Sequence, residues 1–143
     1  MKKNEEIKNA GTPVDLAKLV DAFTMQSHDI PYYLNCETGD IFPLIEGMEE
    51  YEMREEIEDS DNYIPLPSQY ELNEYEIMEE FVSLQAPKMQ KILTMAIEGK
   101  GAFRRFKNTV QEYGIDTQWY AFQREKLKEK AIEWCRDNDL VYK

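Results

Sequence analysis

A chain of 143 residues with 42% apolar and 12% aromatic residues has the composition of a folded protein, and its length suits one core. Its formal charge of −12 argues against nucleic-acid binding by bulk attraction. No apolar run approaches the about 20 residues that cross a bilayer, and MKKNEEIKNA lacks the apolar segment of a signal peptide, so a cytoplasmic protein without a membrane partner is expected.

Residues 1–11 are polar and aperiodic, which predicts a disordered tail ahead of a single domain over residues 12–143. Thr12 with Pro13 and Asp15 reads as a capping box opening a first helix, with Leu16, Leu19, Val20 and Phe23 on its inner face. In YYLNCETGDIFPL two aromatic and aliphatic runs flank a turn sequence containing Gly39, the pattern of a β-hairpin. The acidic run GMEEYEMREEIEDS carries a thin apolar stripe that supports at most a short exposed helix. Pro65 and Pro67 exclude a helix at YIPLP and suit an edge strand beside the hairpin.

Four helices are then expected. Ser68 and Glu71 form a second capping box ahead of a face built from Leu72, Tyr75, Met78 and Val82, with Phe81 beside them. Pro87 starts a helix carrying Met89, Ile92, Leu93, Ala96 and Ile97, which Gly99 stops. Gly101 opens the third, with Ala102, Phe103, Phe106 and Val110 directed inward and Gly114 at its end. Asp116 or Thr117 caps the last, whose apolar positions are Trp119, Tyr120, Phe122, Leu127, Ala131 and Trp134. The predicted class is α+β, mainly helical with a small antiparallel sheet.

Charge is segregated along the chain. Residues 46–80 hold 14 acidic groups and one basic group, whereas residues 81–143 hold 12 basic and 8 acidic. Within the basic part, EGKGAFRRFK gathers Lys100, Arg104, Arg105 and Lys107 around two glycines, with Asn108 following. These five residues are the candidate binding surface. Two readings of it stay open: the cations pair with the carboxylates of residues 46–80 and are structural, or they meet an anionic partner, whether a small phosphate-bearing ligand, a nucleic acid or a carboxylate-rich protein surface.

Other chemistry finds little support. His28 is the single histidine, and Cys36 and Cys135 lack metal or disulfide spacing, so neither metal, cofactor nor catalytic residue is assigned, and both thiols read as small buried groups. Glu76, Glu79 and Glu80, with Glu71 and Glu74 upstream, suit a solvated helix face. Tyr32, Tyr33, Tyr63 and Tyr70 are candidates to line a groove beside the hairpin.

EGKGAFRRFK, MQSHDIPYYLNCETGDI, YIPLPS and WYAFQREKLKEKAIEW together resemble the uncharacterised bacterial protein family zero-one-five-eight from about residue 13 onward. The resemblance implies that the basic corner is shared by the family, and it carries no activity or catalytic residues across. A non-enzymatic binding or adaptor protein is the expected function, using the basic corner or the acidic segment of residues 46–80. The alternative is a small enzyme acting on an anionic substrate held by Lys100, Arg104 and Arg105, with a glutamate as base.

Overall fold

The computed structural model describes residues 12–25, 30–44, 54–57 and 61–143. The expected tail, His28 and most of the acidic run lie outside the described residues. The chain forms two compact units, Met1–Leu72 with Leu127–Lys143, and Asn73–Lys126.

In the first unit, α1 spans Leu16–Met25 and buries Leu16, Leu19, Val20, Ala22 and Phe23. Its start differs from the sequence reading. Asp15 is the cap, its Oδ1 accepting the N–H groups of Ala17 and Lys18 at 3.0 and 3.3 Å. Thr12 instead donates its hydroxyl to the Glu37 carbonyl. The reason lies far along the chain. Val14 is extended because it forms a parallel bridge with Tyr142: its N–H donates to Val141 O at 2.8 Å, and Lys143 N donates back to its carbonyl at 3.0 Å. A residue held in that ladder cannot also be helical, so helix begins only after it.

The hairpin forms as expected, from β1 (Tyr32–Asn35) and β2 (Ile41–Pro43), antiparallel with Tyr33 opposite Phe42. The YIPLP segment supplies β3 (Tyr63–Pro65), antiparallel to the other side of β1 with Leu34 opposite Ile64, giving the order β2-β1-β3. Leu34 is fully buried and Ile64 is buried beside it, while Tyr33, Phe42 and Tyr63 form a ladder of ring contacts at 6.3 and 6.0 Å. Such cross-strand aromatic pairs stabilise a sheet of only three short strands. Residues 54–57 are helical.

The second capping box is present. Glu71 N donates to Ser68 Oγ and Ser68 N to Glu71 Oε1, which starts α2 (Gln69–Leu72). The single helix expected here is two, because Asn73 adopts left-handed backbone with φ of 51°, and α3 starts afresh at Glu74–Ser83. Asparagine tolerates that conformation better than other non-glycine residues, and its side chain donates to Glu76 Oε2 at 2.7 Å. The buried face of α3 differs from the expected one. Ile77, Met78, Phe81 and Val82 are buried, whereas Tyr75 moves outward and donates its hydroxyl to the Ile97 carbonyl at 2.8 Å.

The remaining helices of the second unit are α4 (Pro87–Ala96), α5 (Ala102–Glu112) and the first part of α6 (Asp116–Asp137). Residues 69–137 thus hold five helices rather than four. Their shared centre is aromatic: Phe106 meets the Trp119 ring edge-on at 4.7 Å, and Phe81 touches Phe106, Trp119 and Phe122 at 6.1, 5.4 and 5.5 Å. Each such pair contributes about 0.5 to 1.5 kcal/mol beyond its area burial. Helix α6 begins with Asp116 as its first helical residue, so Ile115 occupies the cap position expected of Asp116 or Thr117. Tyr120, expected inside, is exposed, and Trp134 is half-buried. Farther along, Leu127, Ala131 and Cys135 lie four apart and are fully buried in the first unit.

Candidate functional site: the basic α4–α5 hairpin

Helix α4 ends at Ala96, the chain turns through Ile97–Gly101, and α5 returns from Ala102. Gly99 and Gly101 both have left-handed backbone, with φ of 72° and 76°. That is the reason for two glycines two apart: L side chains adopt this region only at a cost of about 1 to 2 kcal/mol. A helix end followed by such a turn leaves carbonyl oxygens without intrahelical partners. Arg105, one turn into α5, reaches back and takes three of them. Its Nε donates to Ala96 O at 3.0 Å, its Nη1 to Lys100 O and its Nη2 to Glu98 O. A planar fork with five donors suits this task, and a lysine ammonium could not span three separated oxygens. A Cβ on Gly101 would sit 3.1 Å from Arg105 Nη1, so the second glycine also makes room for the guanidinium.

The neighbouring arginine is placed otherwise. Ala102, Phe106 and Val110 form the buried row of α5 at four-residue spacing, and the adjacent row, Phe103 and Lys107, faces solvent. The three-residue spacing from Phe106 predicts Phe103 inside, yet the residue is 54% exposed, the buried row of α5 being Ala102, Phe106 and Val110. Arg104 and Asn108 follow on the outermost side, and Lys100 is exposed in the turn. Among the described residues no ion pair or hydrogen bond engages the side chains of Lys100, Arg104, Lys107 or Asn108. The five candidates therefore divide into Arg105, whose donors are used by the turn's own backbone, and four residues presented outward.

Across α4, the turn and α5, residues 87–112, the hairpin carries Lys88, Lys91, Lys100, Arg104, Arg105 and Lys107 against Glu98 and Glu112. The other carboxylates of this unit behave differently. Glu80 pairs with Lys126 at 3.1 Å, Glu76 accepts from Asn73, and Glu74 is half-buried with its carboxyl pushed above the usual range by desolvation. Glu79 is solvent-exposed and Glu80 only half-buried, in keeping with a solvated face.

In the first unit a cleft of about 430 Å³ lies beside the hairpin, with Lys18, Met25, Tyr32, Asp40 and Pro43 in its lining. Tyr32 is thus a groove residue, while Tyr70 stands 90% exposed at the start of α2. Cys36 and Cys135 are buried and not joined in a disulfide, and burial pushes the Cys135 thiol up to about 11, which leaves it protonated and unreactive at neutral pH. Among the described residues no group of three or more His, Cys, Asp or Glu side chains gathers to hold a metal, and no helix is long and apolar enough to cross a membrane.

Comparison with known proteins agrees with the resemblance carried by the turn motif. No solved structure matches the chain. A relative from Pseudomonas aeruginosa strain PAO1, UPF0158 protein PA5073, is 26% identical over 133 residues, covering 89% of this chain and 84% of its own length. The sequence model of UPF0158, described as an uncharacterised protein family, matches residues 12–143. The chain belongs to the uncharacterised protein family UPF0158.

Proposed function

We propose that this protein is a non-enzymatic binding module that docks an anionic partner on the exposed face of the α4–α5 hairpin. One observation carries the reading: Lys100, Arg104 and Lys107 are solvent-exposed, have no partner among the described residues, and lie in a segment with six basic residues and two acidic ones, Glu98 and Glu112. Unpaired cations held on a helix whose other face is anchored by Phe106 and Val110 are preorganised for an external anion. Arg105 contributes indirectly by locking the turn from which Lys100 projects.

The alternative, an enzyme holding an anionic substrate with Lys100, Arg104 and Arg105, has less to stand on. The Arg105 fork is already used by three carbonyls, which leaves the substrate one guanidinium fewer.

Retention on immobilised heparin, a generic polyanion, tests the proposal. Wild-type protein is expected to be retained, and Arg104→Glu with Lys107→Glu should elute at clearly lower salt with an unchanged circular-dichroism spectrum. Passage of the wild type without retention, or identical elution of the two proteins, would overturn it.

A further inference from the structure

Resting on the docking reading above, we infer that the anionic partner is a single-stranded nucleic acid, with Phe103 as the stacking surface and Lys100, Arg104 and Lys107 as its phosphate contacts. Among these cations Phe103 is the apolar side chain left exposed, Ala102 and Phe106 being buried. Phe103 lies four residues before Lys107 in the same exposed row of α5, immediately before Arg104 and three after Lys100. A phosphate or a carboxylate needs only the cations. An exposed ring among them adds a π-face, which an unpaired base can cover and a duplex base, already stacked on its neighbours, cannot. Burying that ring against a base also removes the apolar surface that the fold leaves in water.

The chain's overall charge of −12 does not oppose this at working ionic strength. Charges more than about 8 Å apart are largely screened in physiological salt, so the strand responds to the hairpin's local excess of cations. Asn108, on the outer side of α5 beside Arg104, supplies an amide able to bond a base edge or a phosphate.

Fluorescence anisotropy of the full chain with a labelled 15-nucleotide oligothymidylate, the matching oligouridylate, a 15-base-pair duplex and polyglutamate tests the inference. Single strands are expected to bind in preference to duplex and polyglutamate. Three phosphate contacts predict a salt slope of about −2, hence a loss of roughly 20-fold between 50 and 200 mM salt. Phe103→Ala should weaken single-strand binding about tenfold, whereas Phe103→Tyr, which keeps the ring, should stay within about twofold. Equal binding by wild type and Phe103→Ala, or polyglutamate bound as tightly as the oligonucleotides, overturns the inference. Heparin retention with no oligonucleotide binding also overturns it while leaving the docking proposal intact, and points to an acidic protein segment. Loss of both removes the two readings together.

Discussion

The turn between β1 and β2 in the first unit leaves backbone N–H groups to be satisfied, and short acceptors take them. Asn35 Oδ1 accepts from Glu37 N and Thr38 N, and Thr38 Oγ1 accepts from Asp40 N. In the second unit the turn between α4 and α5 leaves carbonyls, because a helix ends there, and one long donor, Arg105, takes three. Both turns use left-handed glycine, Gly39 in one and Gly99 and Gly101 in the other. What differs is the sign of the orphaned backbone group. In this turn Arg105 is a structural donor, whereas the Arg104 guanidinium is not engaged by the turn's carbonyls.

The largest effect is expected where the two arginines are replaced separately. Arg105→Ala removes charge-assisted bonds to three carbonyls and should destabilise the fold by about 1.5 to 3 kcal/mol. Arg104→Ala should stay within about 0.5 kcal/mol of wild type, as exposed substitutions usually do. Urea denaturation of the pair measures the difference, and equal midpoints would show that the turn does not depend on the guanidinium. Next in size, Gly101→Ala should be costlier than Gly99→Ala. Both incur the left-handed strain of about 1 to 2 kcal/mol, but only at Gly101 does the new methyl crowd Arg105, since a Cβ at Gly99 meets nothing within 4 Å. The same denaturation assay ranks them, and the reverse order would remove Arg105 from the turn. The smallest effect belongs to the strand turn. Asn35→Ala should cost about 1 kcal/mol, whereas Asn35→Asp, which still accepts, should recover most of it. A thermal melt showing no difference between those two variants would mean that the amide oxygen contributes nothing.

The elements that were legible from local chemistry share a trait: each is decided by residues within a few positions of one another. The capping box of Ser68 and Glu71, the hairpin around Gly39, the proline start of α4 and the two glycines framing the basic turn all formed where residue type and spacing put them. Where the reading missed, a partner distant in sequence or a geometric choice had intervened. Thr12 lost the cap of α1 to Asp15 because Val14 pairs with residues 141–143. The helix expected to run on from Ser68 broke at Asn73, which the capping box could not foretell.

For the candidate site, local sequence determined that a basic turn exists, because glycine spacing, charge composition and the apolar row of α5 are properties of a short stretch. The tertiary structure alone decided what each cation does. Helical periodicity places side chains on faces but does not say which carbonyls lie within reach, so Arg104 and Arg105 are equivalent as letters and separate only when α4 and α5 are folded against each other. Phe103 turned outward for the same reason: the room inside is set by the rings of Phe81, Phe106 and Trp119 meeting across three helices, and that volume is not written in any one of them.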